Sequence, residues 1–165
     1  MFDTEALRSR IVETGAVLEG DFFFSLKSRA IATKYINLDA IFPFPGLIDR
    51  IGDMLLQEGD NRDYASIVAA PATGAIPLAY ATARALRPLN EGVRVVWADK
   101  KSDGKFVFER MNFAKHVYGK KVIVVEDIAT TGGSAKAVAD LIQSAGGTVH
   151  SINFVWNRGD RKSVV

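Results

Sequence analysis

The amino-acid sequence predicts an α/β fold, a mostly parallel central sheet flanked by helices, with a small hairpin region at the amino end. Apolar runs of strand length alternate with segments of helical spacing through most of the chain. The run Val122 Ile123 Val124 Val125 is β-branched and unbroken, as a strand buried on both faces requires. Two strand-to-helix junctions, near Thr73 and Thr131, consist of small residues. With 165 residues and 48% hydrophobic content, the chain is long enough for one compact domain and short for two.

The elements follow in order. Residues 4 to about 16 read as an amphipathic helix, with Thr4 as its cap and Leu7, Ile11 and Val12 on one face. Residues 21–26 and 34–39 read as two strands around a polar turn, an amino-terminal hairpin. Helical spacing of Ile48, Ile51, Met54 and Leu55 marks a helix over 46–57, and a short buried strand follows at 66–70. A helix over 76–86 has Pro77 in its first turn, where the missing N–H would be unpaired anyway. Strands at 93–98 and 122–127, a helix at 134–145 and a strand at 148–156 complete the series. The division expected is a helix-and-hairpin hood over about 1–45 and a core over about 46–165.

The acidic pair and the turn after the 122–125 run carry most of the functional information. Glu126 and Asp127 are expected at the carboxyl end of a strand, where open α/β sheets bind ligands. Backbone N–H groups of Thr130, Thr131, Gly132, Gly133 and Ser134, backed by the amino end of a helix, make an anion site suited to a phosphate monoester. Hydroxyls of Thr130, Thr131 and Ser134 add donors. The two carboxylates, ionised and acceptor-only, would repel phosphate but suit a vicinal diol. Phosphate and diol then belong to one ligand, a phosphosugar. The competing phosphate loops, G-x-G-x-x-G and G-x-x-x-x-G-K-[ST], are absent.

The segment E-D-x-x-T-T-G-G-S resembles the phosphoribosyl pyrophosphate (PRPP) motif of the type I phosphoribosyltransferases, in the form seen in orotate phosphoribosyltransferases. The resemblance runs from Gly20 to Arg158 and implies the type I phosphoribosyltransferase fold. It implies a PRPP site made of Glu126, Asp127, Ala129, Thr130, Thr131, Gly132, Gly133 and Ser134. The turn Ala72 Thr73 Gly74 resembles the family's pyrophosphate loop, where a strained or cis peptide often occurs. Phe24 Ser25 Leu26 Lys27 Ser28, with Tyr35 Ile36 Asn37 beyond, resembles F-x-L-K-S-G…S-x-x-Y-x-N, except that Arg29 stands for glycine and Ala32 for serine. By that resemblance Lys27, Tyr35 and Ile36 line the base pocket with Thr131. Arg158 follows the last strand where the family has D-R-x-E, and its planar guanidinium suits the carboxylate of orotate.

The segment 99–106 departs furthest. Many relatives carry a mobile R-K-x-x-K-x-H-G loop here that reaches a neighbouring subunit. This chain keeps Lys100, Lys101 and Lys105 but lacks the histidine, and it looks closer to a branch in which Arg110 is the later cation. His116 and His150 are expected to be structural. The resemblance implies Mg2+-dependent transfer from PRPP to a nitrogen base, with orotate as the base, and release of pyrophosphate. Glu126, Asp127, Lys101 and Lys105 would act in catalysis. Mg2+ would be carried by PRPP oxygens, with water linking it to Asp127 rather than a direct protein ligand. A purine or other base as acceptor, and a PRPP-binding regulator without catalysis, are the alternatives.

Charge and composition narrow the setting. The 21 basic residues interleave with 19 acidic ones for a net charge of +2, which does not point to nucleic acid. No apolar stretch has membrane-spanning length, the opening residues are acidic, and there are no cysteines. A cytoplasmic homodimer without membrane contact is the expectation, the dimer being implied by the resemblance.

Overall fold

The run that ends at the acidic pair needs apolar cover on both faces, and the fold supplies it. The computed structural model describes residues 3–25, 31–57, 65–110 and 112–157. The elements are α1 (Thr4–Glu13), β1 (Val17–Ser25), β2 (Ile31–Ile36), a 3-10 turn at Leu38–Ile41, α2 (Pro45–Gln57), β3 (Ile67–Pro71) and α3 (Ile76–Leu86). They continue as β4 (Arg94–Lys100), β5 (Phe106–Val107), α4 (Phe113–Val117), β6 (Lys121–Ala129), α5 (Gly133–Ser144) and β7 (Thr148–Asn157). β1 and β2 form an antiparallel two-stranded sheet. The main sheet has the order β5-β4-β3-β6-β7; β5 runs antiparallel to β4 and the other pairings are parallel.

Successive side chains of a strand point to opposite faces, so β3 and β6 feed two apolar layers. Val68, Ala70, Ile123 and Val125 pack with Ile51 and Leu55 of α2, Leu78 and Leu86 of α3, and Leu7 and Ile11 of α1. Ile67, Ala69, Val122 and Val124 pack on the other side with Val138 and Ile142 of α5 and Val117 of α4. The hairpin joins the first layer through Val17 and Ile36, and the 3-10 turn through Leu38 and Ile41. One core therefore runs from the amino-terminal elements into the sheet.

Helices α2 and α3 touch at backbone distance. A Cβ on Gly52 would stand 2.4 Å from the carbonyl carbon of Ala81. Arg84 then ties the helices at their rim, donating to Asp49 at 2.8 Å and to Asp53 at 2.9 Å. These exposed pairs add little to stability, so the fit at Gly52 is the more sensitive feature.

Several expectations are corrected. The cap of α1 is Asp3, not Thr4: its carboxylate accepts from the Ala6 N–H at 2.9 Å. Val12 is exposed, because α1 buries only the stripe of Leu7 and Ile11. α1 also stops at Glu13, since Gly15 takes a left-handed φ of 80°. β1 begins earlier than expected, at Val17, which pairs with Ile36. β2 ends at Ile36, because the Asn37 side chain accepts from the Asp39 N–H and turns the chain into the 3-10 turn. That turn, β5 and α4 were not expected; each is too short to show a period. β6 runs two residues past Asp127, so the acidic pair lies inside the strand's last turn of pairing rather than at its final residue.

Substituting Gly52→Ala should overpack the α2–α3 contact by about 1–3 kcal/mol and lower Tm by roughly 3–10 °C in a thermal melt followed by circular dichroism. An unchanged Tm would show that the two helices can separate there without cost.

Candidate functional site at the carboxyl end of the sheet

Alternation along β6 separates the two carboxylates. Glu126 continues the Val122 and Val124 face toward α5, whereas Asp127 continues the Ile123 and Val125 face toward α3. Each side chain consequently meets a different turn.

On the α5 side, the chain leaves β6 through Thr130 and Thr131 and enters the helix at Gly132. Gly132 is left-handed, with φ 71°, and no side chain of its own caps α5. Glu126 takes that place from the neighbouring strand, accepting hydrogen bonds from the Ser134 hydroxyl and the Ala135 N–H. Burial, and after it the charge of Asp127, raise the Glu126 pKa to about 7, against the smaller lowering effect of those hydrogen bonds. A cavity of about 320 Å3 opens here, lined by Glu126, Ile128, Thr130 to Ser134 and Ala137, with Lys100, Gly104 and Phe106 on its far wall. Its turn offers backbone donors at a helix amino end, the surroundings a phosphate monoester needs.

On the α3 side, Asp127 meets the β3–α3 turn. Its Oδ1 accepts from the Ile128 N–H at 2.8 Å, and its Oδ2 would lie 2.9 Å from a Cβ at Gly74. Burial raises the Asp127 pKa, with Asp39 adding to the effect. The peptide between Ala72 and Thr73 is cis, within the turn that resembles a pyrophosphate loop. That turn is anchored to β4 by the Ala72 N–H, which donates to the Ala98 carbonyl at 2.8 Å.

The lysines of 99–106 sit on a tight β4–β5 hairpin rather than a long loop. Gly104, with φ 85°, closes it, and the Lys101 N–H donates to the Lys105 carbonyl at 2.8 Å. Lys100 lines the cavity, its ammonium 5.7 Å from the centre of the Phe106 ring. Lys101 pairs with Glu109, and Lys105 lies 3.4 Å from Asp103, so these two are engaged with local carboxylates. Arg110 stands over the Trp97 ring at 5.8 Å and 3.9 Å from Asp99.

The remaining expected residues divide. Tyr35 lies on β2 opposite Leu18 and is exposed, whereas Ile36 packs in the core with Leu38. Lys27 and Arg158 lie outside the described residues. His116 and His150 are half-buried and line no part of the cavity. Asp39 is a residue that the sequence reading passed over; the Asn37-x-Asp39 spacing, an Asn oriented to bond the backbone two residues on, was the available signal. Among the described residues, no group of three or more acidic or histidine side chains is placed to hold a metal ion, and no helix is long and apolar enough to cross a membrane.

A parallel sheet with an anion cradle and paired carboxylates at its carboxyl end defines an α/β domain built for a phosphorylated sugar. The family model for the phosphoribosyl transferase domain matches residues 37–165. The orotate phosphoribosyltransferase of Thermotoga maritima is 32% identical over 156 residues, covering 94% of this chain and 78% of the relative. That of Carboxydothermus hydrogenoformans is 35% identical over 152 residues, covering 92% and 74%. Among solved structures, orotate phosphoribosyltransferase from Aeropyrum pernix superposes with a TM-score of 0.68 at 22% identity, covering 92% of this chain and 93% of that one. Adenine phosphoribosyltransferase from Saccharomyces cerevisiae does so with 0.66 at 21%, covering 96% of each. The chain belongs to the phosphoribosyltransferase family and is a pentosyltransferase.

Two outcomes follow for this site. Gly74→Ala should push Asp127 aside, lowering kcat/KM for the transfer at least about tenfold while Tm changes little, because the clash falls on a side-chain end rather than on backbone. Glu126 binds its proton more tightly in the folded chain than its ordinary value of 4.5, so stability from its neutral form is full below 4.5 and is lost as pH rises through about 7. Glu126→Gln should therefore gain about 1–3 kcal/mol over the wild type between pH 5 and 8 in ligand-free denaturant unfolding. A difference that does not vary with pH would contradict a buried, titrating Glu126.

Proposed function

We propose that this chain transfers the phosphoribosyl group of PRPP to orotate, releasing pyrophosphate and forming orotidine 5′-monophosphate for pyrimidine nucleotide synthesis. The observation that carries the reading is the cavity in which the Thr130 to Ser134 turn, Glu126 and Lys100 meet. Orotate as acceptor is supported by the relatives named orotate phosphoribosyltransferase, at 31–35% identity over most of the chain.

The chemistry is one of charge. As the C1–O bond to pyrophosphate breaks, C1 becomes cationic and the leaving group gains charge. The turn amides hold the 5′-phosphate, the acidic residues hold the ribose and favour the cationic carbon, and Lys100 offers the leaving group a cation. A ring nitrogen of orotate supplies the electron pair for the new bond to C1. It can react as an anion, so positioning carries more of the rate than a strong general base. Lys101 and Lys105 could join Lys100 only by leaving Glu109 and Asp103. Lys27, Tyr35 and Arg158 are assigned to the base.

Mg2+ fits this donor set as a passenger of PRPP. The buried Glu126 and the half-buried Asp127, both with raised pKa values, favour a cation nearby, yet no cluster of three protein ligands exists among the described residues. Asp127 is the residue that would face the ion, which would supply charge neutralisation at the pyrophosphate. The hood over about 1–45 and the core over about 46–165 act as one domain in this reading. Exposed Phe44 and Tyr80 provide apolar surface for a homodimer, and the absence of cysteine suits a cytoplasmic protein.

Pyrophosphate release should be measured with PRPP and Mg2+ and, in turn, orotate, adenine, hypoxanthine, guanine and uracil. Orotate alone should support turnover. Asp127→Asn should cut kcat by about 100-fold or more with little change in Tm. Turnover with a purine instead would move the acceptor assignment, and PRPP binding without turnover on any base would favour a regulator.

A further inference from the structure

Lys100, Lys101 and Lys105 all stand on the β4–β5 hairpin, yet their surroundings differ. Lys101 is paired with Glu109 and Lys105 with Asp103. Lys100 enters no ion pair among the described residues; its ammonium meets a neutral group, the Phe106 ring, 5.7 Å from its centre. The strands impose this meeting. Lys100 and Phe106 are direct partners in the antiparallel ladder, so their side chains leave the sheet on one face at the closest cross-strand spacing. Phe106 is itself anchored: half-buried, it packs against the α5-side layer that includes Ala98, Ala135 and Val138. α5 is also the helix entered from the Thr130 to Gly132 turn, and that turn, Phe106 and Lys100 line one cavity. One ring therefore links the helix behind the anion donors to the ammonium on the far wall.

A ring and a carboxylate hold a cation differently. A carboxylate orients an ammonium and cancels its charge, which reaches an incoming anion only if the pair separates. The face of an aromatic ring attracts the cation through its quadrupole and leaves the unit charge uncompensated, and the contact here lies within the ~6 Å over which that attraction acts. Lys100 is exposed, so its flexible stem would otherwise spread the ammonium over many positions. Confining it costs entropy when an anion binds, unless a contact has confined it beforehand.

We propose that Phe106 is a positioning residue: its ring holds the Lys100 ammonium, uncompensated, on the wall across from the Thr130 to Ser134 turn, so that a phosphate in the cavity meets the turn's amides and a confined cation together. Phe106 acts through Lys100 and makes no bond to the phosphate. The role rests on the phosphosugar reading of the cavity, which it deepens, and is independent of which base is the acceptor.

Two measurements on the whole protein test this. In unliganded protein carrying isotope-labelled lysine, the ring current of Phe106 should move the Lys100 ε-methylene signal upfield in the NMR spectrum, the signal being identified by its loss in Lys100→Met. Phe106→Leu should return it to the position of the other exposed lysines, and Phe106→Tyr, which retains the ring, should keep the shift. In calorimetric titrations with ribose 5-phosphate at low salt, Phe106→Leu should bind roughly two- to fivefold more weakly, the scale of an exposed cation–π contact, and Phe106→Tyr within about twofold of the wild type. Lys100→Met should lose at least as much as Phe106→Leu, and in that background Phe106→Leu should have no further effect, since the ring acts through the lysine. An equal loss in both backgrounds would make Phe106 cavity wall alone and overturn the proposal, as would a Lys100 signal without the shift or unchanged binding in Phe106→Leu. A wild type that shows the shift but binds no ribose 5-phosphate would overturn the phosphosugar reading and the positioning role with it, whereas a different acceptor base alters none of these outcomes.

Discussion

The structure turns on β6, a strand that must be apolar on both faces for most of its length and polar at its end. It lies between β3 and β7 in the sheet, with α2 and α3 over one face and α5 over the other. Val122 to Val125 are therefore fixed in register by packing, because a slip of one residue would exchange the two layers. The same register dictates where Glu126 and Asp127 point. Neither carboxylate can choose its environment; one is delivered to the start of α5 and the other to the turn before α3. Their shared desolvation is the cost of carrying charge at the end of such a strand, and it is why both pKa values rise.

From that constraint the turns follow. α5 starts without a side chain of its own as cap, so its amino end is covered by Glu126 on one side and left facing the cavity on the other. α3 likewise starts at Ala75 with no side-chain cap. Two helix starts flanking one strand end thus present backbone donors on both sides of the acidic pair. β4 supplies the balancing charge, because its hairpin with β5 is short enough to hold Lys100 against the cavity. The segment's other two lysines are occupied by carboxylates of their own, which separates a cation built into the wall from cations that must be released to help.

What the sequence made legible is what periodicity and buried β-branching can express. The helix over 76–86 and the strand through Val125 emerge at their observed places, since each is long and its apolar pattern is unambiguous. The turn between that strand and the next helix was legible because Thr130 to Ser134 concentrates hydroxyls and glycines there. The 3-10 turn, β5 and α4 were not, at two to five residues each. Glu126 and Asp127 are adjacent in sequence, and only the strand's period of two shows that they meet different turns. The nearness of Asp39 to Gly74 could not be read from sequence, because it depends on how the 3-10 turn packs on the sheet. Ile36 shows the converse, a residue assigned to the base pocket by resemblance that lies in the core.

In the proposed function, donor and acceptor are met by different parts of the chain. Donor recognition is built on strand ends and helix starts of a close-packed sheet, where a shift of a few tenths of an ångström meets resistance from both layers. The proposed acceptor residues are Lys27, Tyr35 and Arg158, and of these Tyr35 is exposed on β2. The fold itself superposes almost equally on an orotate and an adenine transferase. In the proposed function the sheet end serves the parts of the reaction that do not depend on the base: a phosphate, a diol and a departing anion. A change of acceptor, in that function, need not disturb Glu126 and Asp127, because their directions are set by the register of β6 in the core.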